Sequence, residues 1–258
     1  MDLGLTNTRF IVCGAGNGLG KAVAATLLDE GATVCGVTRT EGKLQEFAGK
    51  YGDRFIPLYA DIYDVQTHRQ LLDMHQDLPP AGIVFNAGGP PATSAMETTA
   101  EHWDEAYRTV FKWKTSLALA FLPLMQKNGY GRLLFLESIS VKQPAPNLVL
   151  SNAMRSAVIS WMKTLSAEIA ASGITCNAIA TGFHNTAAME RVFKKTAEAT
   201  GTSIAEAKKI LEAQVPVKRL GTAEDFGSLA AWLLSRHSSY ITGQTISIDG
   251  GMIKGLFG

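Results

Sequence analysis

Short apolar runs alternate with longer helical patterns along most of the chain, and this alternation restricts the fold more than any other feature. The runs RFIVCG (9–14), ATVCGV (32–37), RFIPLY (54–59), AGIVFN (81–86), GRLLFLES (131–138), ITCNAIA (174–180) and QTISID (244–249) read as strands. Helices are expected between them, near 18–30, 41–50, 64–77, 100–128, 151–171 and 222–235. Repeated strand–helix alternation builds a parallel sheet with helices on both faces. Right-handed crossovers then wind it into a doubly wound α/β fold.

Local signals set several boundaries. Gly31 after LLDE and Gly173 after AEIAAS act as helix stops. SIAE (203–206) is a capping box, and Thr222 in TAED is an N-cap with acids in the first turn. No repeat, low-complexity tract or linker interrupts the 258 residues, so one domain, 1–258, is expected. One segment departs from the alternation. After the sixth strand, 186–216 adds about two helices at the carboxyl edge of the sheet, where open α/β sheets bind ligands. A helical lid over substrate is expected there; a structural or subunit-contacting helical pair is the alternative.

A formal charge of +1 provides no broad electrostatic pull toward nucleic acid or an anionic membrane. The chain has no apolar run of about 20 residues and so no expected membrane span. Its start, MDLGLTNTRF, has no signal-peptide character, so a cytoplasmic location is expected. Cys13, Cys35 and Cys176 lie in β-like runs without C-x-x-C or His-rich spacing. They read as buried free thiols and imply no metal, with Cys13 also placed to line a cofactor loop.

The first strand runs into CGAGNGLGKAVAATLLDEG, whose Gly14, Gly18 and Gly20 follow G-x-x-x-G-x-G. Glycines there let backbone turn tightly against a pyrophosphate at a helix N-terminus. Asp61 in YADIYD, Asn86 in FNAGG, ATGFHNT (180–186) and YITGQTISIDGG (240–251) then follow in order. Together these motifs resemble the short-chain dehydrogenase/reductase family, particularly its β-ketoacyl-carrier-protein-reductase-like members, over nearly the whole chain. The resemblance implies a single Rossmann-type domain of about seven parallel strands.

It further implies that Gly14, Asn17, Gly18, Leu19 and Gly20 cradle a dinucleotide. Asp61 and Ile62 would lie beside its adenine. Asn86, Ala87 and Gly88 would line the cleft, and Gly182 and Thr186 would meet the nicotinamide side. Cys13 departs from the family's usual threonine and Thr181 from its usual proline. The second strand ends in CGVTRTEGK, with Thr38 and Arg39 but no carboxylate. A guanidinium forks onto phosphate oxygens, so NADP(H) is expected and NAD(H) is the alternative.

The family's proton-transferring tyrosine and its lysine partner are replaced. Its serine corresponds to Ser138; thirteen residues later Ser151 stands at the tyrosine position. Arg155 stands at the lysine position and Val110 at the asparagine position. A serine hydroxyl is far less acidic than a phenol, and Arg does not deprotonate, so the usual Tyr-Lys mechanism is not expected. Lys142 in SISVKQPAP and His184 in TGFHNT are candidate substitutes, each weighed against a plain surface or packing role. Glu137 is expected on the opposite strand face from Ser138, in a structural role. The aromatics of YRTVFKWK (107–114) are expected to pack between helices, and His68, His75, His102 and His237 form no metal-like set.

Three functions fit these residues. The first is an NADP(H)-dependent oxidoreductase of carbonyl or alcohol substrates with a relocated or solvent-supplied proton. The second is a catalytically silent dinucleotide-binding sensor or partner subunit. The third is a non-redox lyase or isomerase with Arg155 as anion anchor. A small-molecule substrate is expected, without nucleic acid or membrane, and the resemblance implies a homodimer or homotetramer.

Overall fold

The computed structural model describes residues 1–187 and 189–256. Ala188, Phe257 and Gly258, which fall within the expected 1–258 domain and, for Ala188, the expected 186–216 lid, lie outside the described residues. The chain begins with β1 (Arg9–Cys13), α1 (Gly18–Asp29), β2 (Thr33–Thr38), α2 (Gln45–Tyr51), β3 (Phe55–Tyr59), α3 (Val65–Met74) and β4 (Gly82–Phe85). It continues through α4 (Ala100–Ala106), α5 (Trp113–Asn128), β5 (Gly131–Ser138), α6 (Val149–Ile169) and β6 (Ile174–Thr181). Last come α7 (Met189–Thr200), α8 (Ile204–Gln214), α9 (Ala223–Leu234) and β7 (Thr245–Ile248).

The strands form one parallel sheet in the order β3-β2-β1-β4-β5-β6-β7. The doubly wound α/β expectation therefore holds. The order reverses between β1 and β4, which opens a crevice at the carboxyl ends of those strands. Alternate residues of each strand feed two cores. Leu133 and Phe135 of β5 pack with α5 and α6, whereas Leu134 and Leu136 pack on the α1–α9 side. Phe85 and Phe135 stack with ring centroids 4.3 Å apart. Truncating so large a buried ring to Ala typically costs about 3–5 kcal/mol.

Two expected helices differ in detail. The 41–50 segment becomes helical only from Gln45, after Gly42 adopts a left-handed φ of 82°. The 100–128 segment is continuous but contains a π-helical stretch, Tyr107–Lys112, between α4 and α5. Such wide turns re-aim the side chains that follow them. Both expected caps form: Ser203 bonds reciprocally with Glu206, and Thr222 with Asp225. Helices α7 and α8 pack around Phe193, Leu211 and Leu220. Among the described residues no helix is long and apolar enough to cross a membrane.

Candidate active site

The crevice at the strand-order reversal is a cavity of about 540 Å³. From the expected cofactor set, Gly14, Asn17, Gly18, Leu19, Thr38, Arg39, Ile62, Asn86, Ala87, Gly88 and Thr186 line it. At Gly14 and Gly20 the loop leaves no room for side chains. A Cβ on Gly14, whose φ is 67°, would lie 2.6 Å from Asn86 Nδ2, and one on Gly20 would lie 2.2 Å from the Gly14 carbonyl oxygen. Asn17 caps α1 without a side-chain hydrogen bond, so the helix N-terminal amides remain available to an acceptor. A backbone cradle of this shape fits the phosphates of a dinucleotide.

Three members of that set sit outside the lining. Gly20 lies beneath the loop. Asp61 turns its carboxylate to the Tyr63 amide at 3.0 Å and lies 3.9 Å from Arg39. Gly182 packs on Asp249, where a Cβ would meet the Asp249 Cα at 2.7 Å. The cavity also gains groups that have no local sequence signature: Thr40, Tyr63, and Glu190, Arg191 and Lys194 of α7. Arg39 lies over the Tyr63 ring, 5.6 Å from its centroid. Cys13 does not line the loop; it is fully buried in the core, and desolvation raises its thiol well above the ordinary range.

The expected catalytic residues gather where β5 meets α6. Ser138 ends β5 and accepts from the Ser140 amide at 3.2 Å, which leaves its hydroxyl hydrogen to donate elsewhere. Ser151 and Arg155 occupy successive turns of α6, and Arg155 Nε donates to Ser151 Oγ at 3.1 Å. Arg155 Nη1 donates to Glu137 Oε2 at 2.8 Å and to the Leu136 carbonyl at 3.3 Å. The other oxygen of Glu137 pairs with Lys114. Burial pushes the Lys114 ammonium pKa down and Glu137 opposes the shift.

Glu137 lies on the opposite strand face from Ser138, as alternation predicts, and is held there by two basic side chains. It also turns away from the face of Leu136, and the face it joins is covered by α5 and α6, which carry Lys114 and Arg155. The π-helical stretch places Val110 in the core, only 1% exposed, and Lys114 follows it one turn later against β5. Trp113 packs on Phe85 and Tyr63, with centroids 6.1 Å from each.

Neither of the two substitute proton donors, His184 and Lys142, is among the residues that line the cleft. His184 is the more deeply enclosed. It is 4% exposed, edge-on to Phe226, and packed so that a Cβ on Gly221 would touch its ring at 2.5 Å. It borders a separate cavity of about 230 Å³ with Phe183, Arg219 and Asp249, and burial lowers its pKa. Lys142 follows the turn Ile139–Val141 at half-buried depth, and burial lowers its pKa against the pull of Asp249. Among the described residues no cluster of three His, Cys, Asp or Glu has metal-binding geometry.

A model of the family described as enoyl-(acyl carrier protein) reductase matches residues 14–253. The chain belongs to the short-chain dehydrogenase/reductase family. It is 30% identical over 244 residues to the 3-oxoacyl-(acyl-carrier-protein) reductase FabG of Haemophilus influenzae, covering 94% of this chain and 96% of that one. The NADPH-dependent reductase BacG of Bacillus subtilis is 29% identical, with 96% and 98% covered. Among solved structures, YwfH, an NADPH-dependent reductase involved in bacilysin biosynthesis, superposes with a TM-score of 0.91 at 25% identity, over 97% of this chain and 100% of that one. The L-sorbose reductase of Gluconobacter frateurii shares the fold at a TM-score of 0.92 and 24% identity, with 99% and 100% covered. Short-chain dehydrogenase/reductases of this group are oxidoreductases, and the cleft just described lies at their characteristic strand-order reversal.

Proposed function

We propose that the protein is an NADP(H)-dependent reductase of carbonyl compounds that works without a Tyr-Lys pair. The observation that carries this reading is the glycine-walled cleft with Arg39 at the end of β2 and no carboxylate there. NADPH-dependent relatives support the same choice of cofactor. Gly14, Asn17, Gly18, Leu19 and Gly20 would hold the pyrophosphate, with Thr38 and Arg39 at the ribose phosphate and Asp61 and Ile62 flanking the adenine. Asn86, Ala87, Gly88, Gly182 and Thr186 would border the nicotinamide half. When bound, NADPH supplies the hydride.

The chain's own residues supply orientation and a proton. Ser138 and Ser151 each have their oxygen engaged as an acceptor, which leaves both hydroxyl hydrogens to donate to a substrate carbonyl oxygen. The Arg155 charge polarises Ser151 and strengthens its donation. As the carbonyl carbon gains hydride, its π electrons pass to oxygen, and Lys142 releases a proton to that oxygen; water then reprotonates the lysine. Lys142 suits the step because burial moves an ammonium toward neutral pH. Helices α7 and α8 would act as a lid, with Arg191 and Lys194 facing the cofactor. Tyr107 and Leu119, exposed on the α4–α5 helix, are the apolar groups that a dimer or tetramer contact would cover.

A panel of aldehydes and ketones with NADPH tests the reading: cofactor oxidation matched by alcohol formation is expected. Saturable NADPH binding with no turnover would favour the silent sensor or partner subunit. That second reading draws on the internal engagement of Arg155 Nε and Nη1.

A further inference from the structure

The buried cluster behind the proposed catalytic end sets two basic side chains against a single carboxylate. Glu137 has no side-chain exposure and divides its two oxygens between Lys114 and Arg155. The side chains of Lys114 and Arg155 are 4% and 14% exposed. With Lys114 protonated, two cations on one carboxylate leave a unit of positive charge largely withdrawn from water. Burial draws the proton from Lys114 while Glu137 holds it, so an arriving counter-charge would favour the protonated, net-cationic cluster.

The geometry directs this excess outward. Arg155 Nε and Nη1 are occupied by Ser151, Leu136 and Glu137. Its Nη2 faces exposed Gly89, whose Cβ position is 3.3 Å away, and among the described residues it donates to no protein acceptor. Gly89 adjoins Gly88, which lines the cofactor cleft. Lys114 decides the sign of the cluster. Without it, Glu137 and Arg155 form a neutral pair with no attraction for an anion.

We infer that Lys114 and Glu137 are positioning residues that keep Arg155 a net-cationic clamp, and that the substrate is a carbonyl compound bearing a carboxylate. The inference rests on the carbonyl-reductase reading of the cleft. A charge-assisted contact from Arg155 Nη2 would hold the carboxylate beside the reacting carbonyl, to which the Ser151 hydroxyl donates.

The test compares pyruvate, acetoacetate and levulinate with their methyl esters in two readouts: NADPH turnover, and the thermal midpoint of cofactor-free protein. In the wild type, at least one acid is expected to show a KM about tenfold below its ester's and to raise the midpoint where the ester does not. Lys114→Met should reduce that preference to within about twofold by making the cluster neutral. The double variant Lys114→Met/Glu137→Gln returns the excess charge to Arg155 and should recover the preference, which a packing role for Lys114 would not do. Should Lys114→Met fail to fold, the double variant carries the comparison: preference kept supports the clamp, preference lost overturns it. Equal handling of acids and esters by the wild type in both readouts also overturns it, as does undiminished preference in folded Lys114→Met. Midpoint shifts specific to acids, without any NADPH oxidation, would support the clamp and count against the reductase reading.

Discussion

Arg155 donates through Nη1 to Glu137 at 2.8 Å, and this buried contact ties the second turn of α6 to the end of β5. The same guanidinium grips Ser151, so the two residues expected at the family's tyrosine and lysine positions are joined into one rigid unit. A lysine there could swing between partners. The planar fork of Arg155 instead fixes the hydroxyl of Ser151 relative to the sheet.

Removing Glu137 exposes the cost of that arrangement. Glu137→Ala leaves Lys114 and Arg155 buried beside each other without a counter-charge, and such losses typically cost about 3–5 kcal/mol. Urea unfolding should register a loss of that size, while Glu137→Gln, which keeps the acceptor, should lose less.

The glycine cradle predicts a steric block. In Gly20→Ala the new methyl would stand 2.2 Å from the Gly14 carbonyl oxygen, so the loop must shift. NADPH affinity, followed by fluorescence titration, is expected to fall by about tenfold or more as the amides leave the position at which phosphate is held.

Arg39 should decide between the two dinucleotides. Its side chain is 65% exposed and its 3.9 Å approach to Asp61 is a weak surface pair, so it is free to turn toward a phosphate. Arg39→Ala is expected to weaken NADPH by about tenfold and NADH by less than about twofold. Parallel titrations with both cofactors measure the difference.

Lys142 sets a pH dependence with a definite sign. Donation requires the protonated ammonium, whose pKa burial places below its ordinary value. Activity should therefore be retained at low pH and fall as pH rises through that lowered pKa. Lys142→Met should abolish this alkaline limb and lower kcat by about 10²–10⁴-fold. A pH–rate profile unchanged by the substitution would remove Lys142 from the mechanism.

Much of the fold is readable from local chemistry. β5 matches its expected range of 131–138 because its apolar run is buried on both faces along nearly its whole length. The Ser203 and Thr222 caps are also read correctly, since each is a contact between residues three apart. The buried cluster around Glu137 is not legible in this way. Lys114 and Arg155 reach Glu137 across 23 and 18 residues, through a π-helical turn and a long α6. Strand alternation gives the face on which Glu137 lies, but not which helices cover that face. His184 misleads for a related reason: its proximity in sequence to strand six says nothing about the packing of Gly221 and Phe226 over its ring.

The most direct test is to saturate the wild-type protein with NADPH and follow absorbance while oxo acids and simple ketones are added, with product alcohol assayed in the same samples. A reductase that has dispensed with the Tyr-Lys pair should oxidise NADPH in step with alcohol formed, and Arg155→Ala should lose most of that rate. Saturation by NADPH with no oxidation above background across the panel would contradict the account.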